Sequence, residues 1–257
     1  MARVFITGSS TGLGLMAAQL LIEQGHSVVL HGRNEARASD ALESAPGAEA
    51  VVAGDLSRIA EMKAVADRIN NLGRFDAVIH NAGVGYREPK RVETQDGIPE
   101  VFAVNVLAAY VLTALIGRPD RLVYLSSGMH HRVEANLDDL LWTRRPWQGA
   151  QAYAESKLHD VMLAFAIARL WPSVHSNALE PGWVATRMGG AGAPGDLSKA
   201  HLTQAWLAVS DDPAAGVTGE YFYHQAPRAA NPIARDVEAQ DRLIDACAKM
   251  SGAPLPR

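Results

Sequence analysis

The stretch TGSSTGLG, Thr7 to Gly14, lies between a short apolar run, VFITG, and an amphipathic pattern, LGLMAAQLLIEQG. Glycines at this strand-to-helix turn constrain the fold more than any other feature of the 257-residue chain. Gly8 permits a tight turn, while Gly12 and Gly14 let backbone approach a ligand and let the helix pack on the strand. The helix start that follows offers free N–H groups and the positive end of its dipole, which suits a phosphate. Such a turn also arises from packing alone. Its place after a first strand and before an amphipathic helix gives it weight.

The rest of the chain repeats this alternation. Strands are expected over 4–8, 27–32, 48–55, 75–83, 121–127, 175–182 and 219–224, and helices over 13–25, 34–45, 57–73, 98–117, 150–171 and 236–251. Ser57 is placed to cap the helix from 57. Strands alternating with helices predict a doubly wound, Rossmann-type α/β fold with a parallel sheet of about seven strands. The early strands lack a two-residue alternation, as expected when both faces are covered. No repeat or linker interrupts 1–257, so one domain is expected. Its substrate-side loops would be 128–150 and 187–218, the latter including the glycine-rich MGGAGAPGD near the site.

Composition excludes several functions. Hydrophobic residues make up 48% of the chain, charged residues 20%, and the net charge is −4. This gives no basic surface for nucleic acid and no polybasic membrane patch. The single cysteine, Cys247, allows no intrachain disulfide and fits a reducing compartment. MARVFITGSS lacks the apolar core of a signal peptide. The run VFAVNVLAAYVLTALI (101–116) is short for a membrane span and carries Asn105 in its middle. A cytoplasmic protein with no membrane or nucleic-acid partner is expected. His130 and His131 are adjacent, so their side chains should splay apart, and no H-E-x-x-H spacing occurs; no metal is expected.

AYAESKLHD (152–160) places Tyr153 and Lys157 at i and i+4, on one helical face. A phenol ordinarily titrates near pH 10, roughly, and is a poor proton donor or acceptor at neutral pH. A nearby ammonium would favour the phenolate and lower that value. Two serines, Ser126 and Ser127, end the fifth strand, and alternation lets only one face the site. Asn105 is an amide inside an apolar helix, costly unless bonded.

The spacing T-G-x-x-x-G-x-G resembles the short-chain dehydrogenase/reductase family. Asp55 after the third strand, Asn81-Ala82-Gly83 after the fourth, Ser126-Ser127 after the fifth, Tyr153-x-x-x-Lys157, and Pro181-Gly182 follow in the family's order. The resemblance implies hydride transfer between a nicotinamide cofactor and a small-molecule carbonyl or secondary alcohol. It makes Tyr153 the acid/base, Ser127 the substrate-orienting hydroxyl, Lys157 a tuning and ribose-binding group, and Asn105 the holder of a relay water. It implies a cofactor site formed by Gly8, Ser10, Thr11, Gly12, Leu13, Gly14, Arg33, Asp55, Leu56, Asn81, Ala82, Gly83, Tyr153, Lys157, Pro181, Gly182, Val184 and Thr186. It also implies a homo-oligomer, dimer or tetramer, with the active-site helix packed across an interface. The loop 128–150 resembles the branch containing the retinol dehydrogenases and their bacterial relatives.

Two features refine this. The second strand ends VVLHGRN, with no carboxylate before Glu35 and with Arg33 and Arg37 nearby. Arginine suits a 2′-phosphate, so NADP(H) is expected over NAD(H). The loop position where a second basic residue sometimes occurs holds Thr11. Trp142, Trp147, Trp183, Met129 and Met188 flank the site and suggest an apolar pocket, although such residues also serve as core. The rival readings are an epimerase or dehydratase on the same scaffold with retained cofactor, and a non-catalytic NADP-sensing protein.

Overall fold

Neighbouring side chains of strand β1 (Arg3–Ile6) go to opposite faces of the sheet. Val4 and Ile6 join one apolar cluster with Val28, Leu30, Ile79 and Val123, while Phe5 joins the other with Val29, Val78 and Leu122. Both faces are therefore core, which is why these strands read as unbroken apolar runs. The computed structural model describes residues 1–256.

The elements follow as α1 (Gly12–Glu23), β2 (Ser27–Gly32), α2 (Glu35–Ser44), β3 (Ala50–Ala53), α3 (Ile59–Asn71), β4 (Ala77–His80), α4 (Glu100–Phe102), a π turn (Ala103–Leu107), α5 (Ala108–Leu115), β5 (Arg121–Leu125), α6 (Gly149–Leu170), β6 (His175–Glu180), α7 (Leu197–Ala200), α8 (Leu202–Val209), β7 (Tyr221–Tyr223), β8 (Ala226–Pro227) and α9 (Val237–Ser251). The sheet order is β3-β2-β1-β4-β5-β6-β7-β8. All pairs are parallel except β7–β8. The order reverses direction between β1 and β4, and ligands of such sheets bind beyond the strand ends at that point.

Several expectations are corrected. The sheet of about seven strands is present and, among the described residues, gains an eighth, because the chain turns after β7 through left-handed His224 and Gln225 into the short antiparallel β8. The stretch 187–218 is not all loop: α8 inside it packs Ala205, Leu207 and Ala208 into the core beside α1. Arg58, not Ser57, occupies the N-cap of α3, and the Ser57 amide donates to Asp55 Oδ1 at 3.0 Å. The helix expected over 98–117 is broken by the π turn at Asn105. α6 has no free face through its middle, since every residue from Ala152 to Ile167 is buried within one chain, with α9 against it. Only the ends of α6, at Ala150 and at Arg169 and Leu170, are exposed for the expected packing across an oligomer interface. Among the described residues, no helix is long and apolar enough to cross a membrane.

Candidate active site

The carboxyl ends of β1, β2, β4, β5 and β6 open onto a groove with a volume of about 890 Å³. Its floor is the loop after β1. Gly8 has φ +62°, and a Cβ there would lie 2.9 Å from the Ala82 Cα. A Cβ on Gly14 would lie 2.4 Å from Asn81 Nδ2. Only glycine lets this loop, the start of α1 and the end of β4 sit so close. The α1 N-cap, Thr11, makes no side-chain capping bond, so the first-turn N–H groups face the groove without a capping side chain.

Gly8, Ser10, Thr11, Gly12 and Leu13 line the groove, as do Arg33, Asp55, Leu56, Asn81, Ala82, Gly83, Tyr153, Lys157, Pro181 and Thr186. The geometry refines several expected roles. Asn81 Nδ2 donates to Thr7 O at 2.9 Å and to Gly8 O at 3.1 Å, so its amide braces the loop. Gly14 is loop packing. Gly182 adopts φ +82° beneath the Tyr223 ring. Val184 is buried, and its carbonyl accepts from Thr186 N at 2.8 Å. These three residues do not line the groove.

His31 was not foreseen. From the end of β2, its Nδ1 accepts from Gly8 N at 3.0 Å, and its Nε2 faces Gly54 O at 2.9 Å. This fixes the proton on Nε2 and ties the phosphate loop to the loop after β3. Burial pushes the ring's pKa down to about 4. A histidine one residue before the glycine that ends an apolar strand was the available signal.

At the far end of the groove, Tyr153 and Lys157 share one face of α6. Tyr153 is 6% exposed, and the Lys157 ammonium lies 5.9 Å from its ring centroid. Lys157 Nζ donates to Leu125 O at 2.8 Å and to Asp160 Oδ2 at 2.7 Å. The expected lowering of the Tyr153 pKa does not occur in the chain alone. Burial holds the phenol above its ordinary range, and the opposing pull of Lys157 and of the Ser127 hydroxyl does not overcome it.

The two serines divide as strand alternation requires. Ser126 is buried, and its hydroxyl donates to Lys157 O at 2.6 Å. Ser127 sits at the start of a 3₁₀ turn near the phenol, its oxygen accepting from Met129 N at 3.3 Å. Asn105 is more committed than expected. Its Oδ1 accepts from Val84 N at 2.8 Å, and its Nδ2 donates to Ser156 Oγ at 2.9 Å and to Val84 O at 3.3 Å. Both amide hydrogens are thus used within the protein, which leaves less of this side chain for a water than the relay role assumes.

The apolar residues also divide. The Trp142 and Trp147 rings pack 5.3 Å apart, with Arg145 over Trp142, and form the core of the 128–150 loop. Trp183 and Met129 are exposed. Met188 lies over the site, its sulfur 3.7 Å from the Tyr153 hydroxyl. Tyr86 faces the same phenol, with ring centroids 5.6 Å apart. His130 and His131 do not splay. Their rings lie 3.9 Å apart, and His130 is locked by Ser127 O and Asn231 N. Among the described residues, no group of three or more His, Cys, Asp or Glu is placed to hold a metal ion.

A family model described as short chain dehydrogenase matches residues 2–122. The chain is 46% identical to the uncharacterized oxidoreductase AN7799 of Emericella nidulans, over 100% of this chain and 99% of that one. It is 37% identical to the short-chain dehydrogenase chry4 of Gibberella zeae over the same shares. Against human retinol dehydrogenase 13 the identity is 31%, over 98% of this chain and 85% of the relative. Among solved structures, a blue fluorescent protein from a metagenomic library, in complex with NADPH, superposes with a TM-score of 0.69 at 22% identity, over 86% of this chain and 95% of that one.

Proposed function

The chain belongs to the short-chain dehydrogenase family, and from that premise we propose that it is an NADP(H)-dependent oxidoreductase acting on a carbonyl or secondary alcohol of an apolar small molecule. The observation that carries this reading is the buried Tyr153–Lys157 pair at the end of a glycine-floored groove, with Ser127 beside it. The groove fits a dinucleotide: its loop admits only glycine at two close approaches, and the α1 N-terminus is left without a side-chain cap for an anion. When bound, the nicotinamide supplies or receives the hydride. Ser127 then holds the substrate oxygen, Tyr153 gives it a proton during reduction or takes one during oxidation, and Lys157 steadies the phenolate that reduction leaves. Arg33 lies exposed at the groove edge, while its neighbour Arg37 is paired with Asp40 at 3.3 Å. A free guanidinium there supports NADPH over NADH.

Titration of the protein with each cofactor, followed by tryptophan quenching, tests the reading. NADPH should bind tighter than NADH. Arg33→Ala should weaken NADPH binding about 30-fold and leave NADH nearly unchanged. Equal losses for both cofactors would place the guanidinium off the 2′-phosphate. His31→Phe, which leaves the Gly8 N–H without its acceptor, should weaken both cofactors about tenfold, and an unchanged Kd would show that the loop holds its shape without the histidine. Consumption of NADPH with a ketone separates an oxidoreductase from a same-scaffold epimerase or dehydratase, which shows no net consumption, and from a sensor, which binds without turnover.

A further inference from the structure

Asp160 is three residues beyond Lys157 on α6. Both side chains are almost wholly buried, and Asp160 Oδ2 lies 2.7 Å from Lys157 Nζ. Its other oxygen, Oδ1, is buried and has no partner among the described residues. A carboxylate is seldom placed this way without cause, since burying it is costly even when it is paired. The ammonium has three hydrogens. Leu125 O and Asp160 take two of them. The third is left for the groove that Lys157 and Gly83 both line, where a Cβ on Gly83 would lie 3.7 Å from Nζ. Asp160 thus fixes how Lys157 presents itself.

It also sets the field at Tyr153. An isolated ammonium favours the phenolate, whereas an ammonium paired with a carboxylate is nearly neutral at a distance. We propose that Asp160 is a positioning residue that orients Lys157 and mutes its charge at the Tyr153 hydroxyl, so that Tyr153 stays protonated and the site favours carbonyl reduction. In that direction the Tyr153 O–H bond breaks as the substrate O–H bond forms, and the hydride brings both electrons to the carbonyl carbon. The inference rests on the hydride-transfer reading and adds a preferred direction to it. The Tyr153 phenol held above its ordinary range agrees with it.

The other groups facing these two are few. Tyr153 meets Ser127 from the end of β5, Tyr86 from the loop after β4, and the uncharged Met188. Asp160 is felt by Tyr124 of β5, whose hydroxyl bonds Thr113 of α5 at 2.7 Å, and Thr113 in turn bonds His80 of β4 at 3.0 Å. His80 is kept neutral by burial, so Lys157 and Asp160 are the charges that matter.

The test is a spectroscopic titration that needs no substrate. The phenolate absorbance of Tyr153, taken as the difference from Tyr153→Phe, is followed against pH with NADP⁺ bound. Asp160→Asn should lower the midpoint by about one pH unit, and Asp160→Glu should restore it toward wild type. The alkaline limb of kcat/KM for ketone reduction should move down by the same amount. Should Asp160→Asn fail to fold by near-UV circular dichroism, Asp160→Ser removes the same charge and is read identically. A midpoint that does not move in the folded, uncharged variant overturns the proposal. If wild type turns over no carbonyl, the hydride-transfer reading fails separately, and the absorbance titration still decides the role of Asp160.

Discussion

Tyr153→Phe is expected to lower kcat for carbonyl reduction by about three orders of magnitude, the range lost when a positioned proton donor is removed. The substitution deletes one oxygen from a ring that is 6% exposed and packed beside Tyr86, so the volume of the site is kept. The lost oxygen touches only Met188 and the nearby Ser127 hydroxyl, neither of which anchors the fold. Cofactor affinity should therefore stay within about twofold of wild type, because Lys157 and the glycine loop remain in place. Stopped turnover with intact NADPH binding assigns the proton to Tyr153. Turnover at a tenth of wild type or better would remove Tyr153 from the chemistry and leave Ser127 or a water as the donor.

Residues whose roles follow from local periodicity were legible before the structure. Tyr153 and Lys157 share a face because a helix repeats every 3.6 residues, and Ser126 and Ser127 part because a strand repeats every two. Gly8 and Gly14 of the Thr7–Gly14 loop were legible because no side chain fits where they sit, and Gly12 because its φ of +60° favours glycine. Roles that depend on burial were not. The spacing that put Lys157 near Tyr153 said nothing of how far desolvation would push the phenol the other way. His31 reads as an ordinary strand residue until the fold brings Gly8 and Gly54 to its two nitrogens. Asp160 looked like one more polar helix residue, because a 22-residue helix buried through its middle leaves little amphipathic pattern to mark its inner face. The antiparallel β8 is two residues long, below what alternation can signal, and the π turn at Asn105 comes from tertiary bonds to Val84 and Ser156.

Acid should destabilise this chain at pH values above the ordinary carboxylate range. His31 and His80 are buried and neutral, and desolvation pushes their pKa values down to about 4 and about 3. In the unfolded chain both return to about 6.5. Below that pH the unfolded state binds protons that the folded state refuses, so stability is fully present above about 6.5 and falls as pH drops toward the folded values. Each histidine removes about 1.4 kcal/mol per pH unit over this interval, or about 4 kcal/mol for the pair by pH 5. Asp160 acts in the opposite direction. Burial holds its carboxyl above the ordinary range despite Lys157, so proton uptake there favours the folded state as pH falls. These three groups alone give a net loss on the order of 3 kcal/mol between pH 8 and pH 5 in urea unfolding, and His130, also buried and pushed down to about 4, adds a loss of the same sign. His80→Gln should flatten the slope by its own share, since an amide can face Thr113 without titrating. A free energy of unfolding that is the same at pH 8 and pH 5 would mean that these histidines find a protonated form the fold can hold. The cofactor loop that His31 braces would then be softer than its bonds to Gly8 and Gly54 imply.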